Sequence, residues 1–296
     1  MLMSNGKTRE QLYSLLGDLP DPKRPITCRL VAEDDMGDFV LEHLVLDLNG
    51  IENVPAFFTR PKKTPAPYPV ALFSHSHGGL YHMGKNELLH PAPYGYKQPY
   101  AGVLAKMGVA CLAIDHWCFG ERSGRRESET FKSMLWDGQV MWGMMVYDSL
   151  RAIDYIVSRP DTDNGRICAL GMSMGSTMSI WVTALEPRIK TCVDICCLTD
   201  FDELEKGNSL DAHGIFYYVP ALRKYFSMVD INALIAPRPH LSTAGLYDLL
   251  TPPAGLYKIG KALAGAGGFE LKTYPCGHLE TREMREDILE FIKRTL

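Results

Sequence analysis

The 296-residue chain contains no long uninterrupted apolar stretch. No segment approaches the roughly 18 apolar residues that a membrane span needs, and the opening "MLMSNGKTREQLYSLL" carries no apolar core of signal-peptide length. A cytoplasmic protein that does not engage a membrane is therefore the expectation. Charge of one sign is also missing. The formal net charge is -4, with 31 basic and 35 acidic residues spread without runs, so no basic field exists to attract nucleic acid or an anionic surface. Cysteine is present but unorganised: Cys28, Cys111, Cys118, Cys168, Cys192, Cys196, Cys197 and Cys276 fall mostly inside apolar runs, without CxxC spacing. That distribution excludes a disulfide scaffold and reads as buried, reduced thiols. Internal repeats and low-complexity tracts are absent as well, which leaves one domain over residues 1–296 as the economical view.

What the chain does have is 46% hydrophobic content arranged with a rhythm. From residue 70 onward, short apolar runs ("VALFSH", "VACLAIDH", "ICALGMS", "TCVDICCL", "HLSTAGLYD", "ELKTYP") alternate with helix-length amphipathic segments near 98–107, 137–158, 174–186, 253–266 and 280–294. Continuous runs of this length suit strands covered on both faces of a parallel sheet, and the alternation with helices marks an α/β architecture. Earlier, "FVLEHLVLDL" and "VPAFFTRP" flank a polar turn at Asn49-Gly50, which predicts an antiparallel hairpin at the N-terminal edge. Residues 1–37 are expected to form a helical extension, with the amphipathic segment 7–16 packing on the domain or on a second subunit. Residues 117–136 and 199–236 are insertions too long for simple connections.

One pentapeptide carries chemistry. Gly171-Met172-Ser173-Met174-Gly175 ends an apolar strand and opens a helix, the setting of a nucleophile elbow, where a sharp turn exposes the serine hydroxyl beside a helix N-terminus. A serine needs a base, and the base needs a partner that holds its tautomer. After Ser173 only His213, His240 and His278 remain. His240 begins an apolar strand and His213 lies in the aromatic insertion, whereas His278 in "YPCGHLETREM" sits in a loop beyond the last strand. The acid should leave the end of the strand between them. Asp248 does so in "STAGLYDLLTP"; Asp194 is mid-strand, and Asp200 and Asp202 open the insertion. For the oxyanion, Met174 N–H follows the nucleophile, and the Gly-rich loop "FSHSHGGLYHMG" offers the amide of His77 or Gly78. A metal set of His75, His77, Asp115 and His116 is the rival, weakened because Gly78-Gly79 stand where further ligands belong.

From about Asp38 onward the chain resembles the α/β-hydrolase superfamily, most closely its dienelactone-hydrolase-like and acetyl-xylan-esterase-like branch. The likeness rests on "PYPVALFSHSHGG" with "GKNELL", "LAKMGVACLAIDHWCFGER", "RAIDYIVSRPDTDNGRICALGMSMGS", "IAPRPHLSTAGLYDLLTP" and "YPCGHLE". It implies a mostly parallel central sheet with helices on both faces, Ser173 as nucleophile, His278 as base, Asp248 as its orienting acid, and the amides of Met174 and His77 as oxyanion donors. Short acyl groups, acetyl foremost, are implied by the resemblance alone. The chain departs from the pattern at Ser76 and Ser176, where glycine is frequent, and at Met172, where a polar residue is frequent.

The expectation is thus a serine hydrolase of carboxylic esters, requiring no cofactor or metal and taking a small-molecule ester as its partner, with oligomeric state open. A peptidase, thioesterase or lactonase shares the same triad, and a binding protein on a hydrolase fold is a further alternative. Tyr81 and Trp117, which follow strand ends, and Phe216 and Tyr217 in the insertion are candidate pocket residues. The insertion's aromatics serve equally well as its own core.

Overall fold

The computed structural model describes residues 6–296. Among them nine strands form one sheet: β1 (Thr27–Asp35), β2 (Phe39–Asp47), β3 (Val54–Pro61), β4 (Tyr68–Ser74), β5 (Ala110–Ile114), β6 (Thr162–Met172), β7 (Thr191–Ile195), β8 (His240–Gly245) and β9 (Phe269–Tyr274). Their spatial order is β1-β2-β3-β5-β4-β6-β7-β8-β9. The first three strands and β5 pair antiparallel, whereas β5, β4, β6, β7, β8 and β9 run parallel. All six apolar runs from residue 70 onward become these parallel strands, and the hairpin across Asn49-Gly50 becomes β2 and β3.

Alternation along each central strand divides the core in two. Val70 and Leu72 of β4 face one cluster with helices Met141–Ser158 and Met174–Leu185. Ala71 and Phe73 face the other, with helices Tyr100–Lys106 and Arg282–Thr295. Both sheet faces are therefore shielded, which is why these strands show no polar alternation.

One expectation needs correction. The described part of residues 1–37 is not simply helical: it holds one short helix, Arg9–Ser14, opened by a Thr8–Gln11 capping box, and then strand β1. Every residue of β1 is exposed, so the strand carries no buried face and leaves no period-two signal. The segment 7–16 packs on the domain, burying Leu12 and Leu16 completely, while Arg9 donates to the carbonyls of Ala184 and Leu234. Insertion 117–136 contains the helix Glu127–Trp136, and insertion 199–236 contains short helices at Phe201–Lys206, Leu222–Tyr225 and Met228–Ala233.

Strand order locates the crevice. The chain leaves β4 toward β5 on one side, then crosses to β6 on the other, so the direction of winding reverses between β4 and β6. Open α/β sheets bind ligands outside the carboxyl ends of their strands at such a reversal. The loop 75–79 and Ser173 follow those two ends.

Candidate active site

Ser173 joins β6 to helix Met174–Leu185 with φ 58° and ψ -117°, a left-handed conformation that costs a non-glycine residue about 1–3 kcal/mol. Its neighbours impose the turn. A Cβ at Gly171 would lie 2.4 Å from the Gly175 carbonyl oxygen, and one at Gly175 would lie 1.9 Å from that of Ser74. Only glycine lets β4, the elbow and the helix approach this closely. The Ser173 amide is spent on Ile195 O at 2.8 Å, which ties the elbow to β7 and leaves the side chain facing outward.

Asp248 and His278 arrive from the next two strand ends. Tyr247 N donates to Cys276 O, and Leu246 N to Tyr274 O, clamping the loop after β8 to the loop after β9. Asp248 is buried; its Oδ1 accepts from Leu250 N at 2.8 Å, and its Oδ2 stands 2.7 Å from His278 Nδ1. With the carboxylate ionised, the imidazole proton belongs on Nδ1, so Nε2 is the acceptor facing Ser173 Oγ at 2.9 Å. Residues separated by 105 positions in the chain are thereby joined in one line of hydrogen bonds.

The amides of Met174 and His77 donate to no protein acceptor among the described residues. Met174 N–H belongs to the free first turn of its helix. The His77 side chain is fully engaged: Nδ1 accepts from Gly79 N, Nε2 donates to the buried Glu127 carboxylate at 3.1 Å, and the ring stacks on Phe216. Tyr81 OH donates to the other Glu127 oxygen at 3.3 Å. Burial, with Glu127 adding to it, pushes the Tyr81 phenol up to about 12, so it stays protonated at neutral pH.

Of the residues weighed as a metal set, His75, His77 and Asp115 are occupied otherwise, whereas the His116 ring is buried with neither nitrogen partnered among the described residues. His75 is fully buried, donates Nδ1–H to Ser76 O and accepts His116 N–H at Nε2; burial lowers it to about 4. Asp115 accepts from Lys85 Nζ and from the amides of Lys85 and Glu121. His240 pairs with Asp194 inside the sheet, as its place in an apolar run suggests.

A cavity of about 490 Å³ opens beside Ser173 and His278. Of the four candidate pocket residues, Tyr81, Phe216 and Tyr217 line it. Trp117 does not: its ring packs under the Arg122 guanidinium, 4.5 Å away, within the core. Arg122 is held there by Asp148, Glu52 and the Asp115 carbonyl, so the indole is drawn inward, away from the crevice. Sequence reasoning passed over Tyr94, Glu127, Thr177, Cys197 and Leu250 in the same wall, and set His213 aside. Nothing local marks them, because they come from loops and helix ends far apart in the chain. A larger cavity of about 610 Å³ lies within the 199–236 insertion; Tyr217 lines both, but Ser173, His278 and Asp248 are absent from its wall.

Residues 46–293 match the family model described as acetyl xylan esterase (AXE1). The chain is 48% identical over 295 residues to YtaP of Bacillus subtilis (strain 168), covering 97% of this chain and 98% of that protein, which is named only in general terms as a hydrolase. The acetyl xylan esterase from Paenibacillus sp. R4 superposes with a TM-score of 0.69 at 20% identity, covering 97% of this chain and 93% of that one. Acetyl xylan esterase 1 from Thermoanaerobacterium sp. JW/SL YS485 gives 0.66 at 16% identity, with 97% and 98% covered. These structural likenesses establish the α/β-hydrolase fold. The family match, spanning most of the chain, goes further: the protein belongs to the acetyl xylan esterase (AXE1) family and is a serine carboxylic ester hydrolase.

Proposed function

We propose that Ser173, His278 and Asp248 form the catalytic triad, and that the substrate is a small ester of a short acyl group, acetyl foremost. The observation that carries this reading is the continuous line Ser173 Oγ, His278 Nε2, His278 Nδ1, Asp248 Oδ2, with spacings of 2.9 and 2.7 Å, at the rim of an open cavity. Ser173 Oγ bonds to the ester carbonyl carbon while its proton passes to His278 Nε2. The oxyanion then lies between the free amides of Met174 and His77, near the positive end of the helix beginning at Met174. His278 returns the proton to the leaving alcohol as the ester C–O bond breaks. Water attacks the acyl-serine, giving its proton to the same nitrogen, and the acid departs as Ser173 recovers its hydrogen. This sequence needs no cofactor.

The acetyl preference draws support from the family name and from the two named structural relatives. Phe216 and Tyr217, both buried, would limit the room beside the nucleophile. A small-molecule partner rather than a nucleic acid fits the net charge of -4, and a cytoplasmic setting fits the eight unpaired cysteines. Treatment with a fluorophosphonate followed by peptide mapping tests the nucleophile. A Ser173 adduct and loss of esterase activity in Ser173→Ala are expected; activity surviving in that variant would refute the assignment.

A further inference from the structure

Tyr94 lines the same cavity as Ser173 and His278, its ring centre 6.2 Å from the imidazole. It is tied at both ends. Its carbonyl accepts from Glu280 N, two residues beyond His278, and its hydroxyl lies 2.5 Å from Ser76 Oγ in the loop after β4. A Cβ at Gly78 would stand 2.3 Å from the Tyr94 oxygen, so the loop has made room for this hydroxyl.

The proton inventory of the contact is determined by what lies behind it. Ser76 Oγ is 2.6 Å from Glu87 Oε2, and the same oxygen accepts Ser76 N–H at 2.9 Å. A carboxylate has no proton to give, so Ser76 Oγ–H is the donor in that bond. Ser76 Oγ then has only a lone pair to offer Tyr94, and the Tyr94 O–H must be the donor at 2.5 Å. Burial pushes Glu87 up to about 7 and Tyr94 up to about 12, so at pH 8 the carboxylate is ionised and the phenol keeps its proton. What remains free on the Tyr94 oxygen is an acceptor.

We propose that Tyr94 is a specificity-determining residue: with its proton committed to Ser76, it turns a lone pair toward the cavity and favours esters that bring an O–H donor beside the scissile carbonyl. This rests on the reading of Ser173 as nucleophile. Serine at position 76 has a role here that glycine would not supply, because the relay from Glu87 to Tyr94 passes through its hydroxyl.

The test compares two acetates differing in one group, ethylene glycol monoacetate and 2-methoxyethyl acetate, at pH 8. The readout is the ratio of their kcat/KM values. The wild-type enzyme is expected to favour the hydroxyl-bearing ester by about tenfold, the scale of one hydrogen bond. Tyr94→Phe should bring the ratio near one. Ser76→Ala, which frees the Tyr94 proton to turn either way, should lower it as well and serves if the first variant does not fold. A wild-type ratio of one, or a ratio unchanged in Tyr94→Phe, overturns the proposal. Ser173→Ala measured alongside keeps the two readings apart: activity surviving there faults the nucleophile, whereas a Ser173-dependent enzyme with an unmoved ratio faults Tyr94 alone.

Discussion

The α-carbon of Gly175 faces the carbonyl oxygen of Ser74 so closely that a Cβ would stand 1.9 Å from it. Alanine is the better helix former by about 1 kcal/mol, so propensity alone predicts that Gly175→Ala stabilises the helix. The obstructing atom is backbone at the end of β4 and cannot turn aside. We expect a loss of about 3 kcal/mol or more in urea unfolding, because overpacking outweighs propensity. The same shift would displace the loop carrying His77, so the folded fraction should also lose activity.

Asp248→Asn is expected to keep the fold and lose the chemistry. An amide donor facing His278 Nδ1 moves the imidazole proton to Nε2, the nitrogen that must accept from Ser173. Turnover of a chromogenic acetate ester should fall about 10³–10⁴-fold. Slower fluorophosphonate labelling with little change in Tm would separate this from misfolding.

Glu87 should make stability depend on pH in an unusual direction. Burial raises its carboxyl from 4.5 to about 7, so between those values the folded protein keeps a proton that the unfolded chain has released. Its contribution is complete below pH 4.5 and disappears as pH rises through 7, amounting to about 3 kcal/mol at most. Glu87→Gln, which has no proton to lose, should fall furthest below wild type near pH 5 and gain on it as pH rises to 8. Unfolding free energies measured at pH 5 and pH 8 on both proteins check the sign.

Tyr217→Phe should cost no stability. The Tyr217 hydroxyl is buried without a protein partner among the described residues, and removing an unpaired polar group is neutral or favourable by about 1 kcal/mol. Denaturant melts of the variant measure this directly, and a loss beyond about 1 kcal/mol would show that the hydroxyl has a partner in solution.

Much of this site could be read from local pattern because its parts sit at strand ends. An apolar run followed by Gly-x-Ser-x-Gly and a helix marks the elbow, and the chain order of Ser173, Asp248 and His278 follows from which loops leave the carboxyl edge of the sheet. Strand β1 leaves no signal in the sequence because both its faces meet water, so burial imposes no period on it. Following β5 makes Trp117 a candidate for the pocket, but direction depends on partners, and Arg122 with Asp148 and Glu52 pulls the indole into the core.

The order of strands and helices, the two-sided burial of β4 to β8 and the residue types of the proposed triad are consequences of residue type and spacing, which act over a few positions. The relay from Glu87 through Ser76 to Tyr94, the clamp of Glu127 on His77 and the wall formed by His213 and Leu250 depend on loops meeting across 11 to 50 positions of chain. No periodicity links such residues, because their register is set by the sheet's winding reversal between β4 and β6 rather than by their neighbours in sequence. Chemistry was thus encoded locally, and the shape and polarity of the space around it emerged when distant loops packed together.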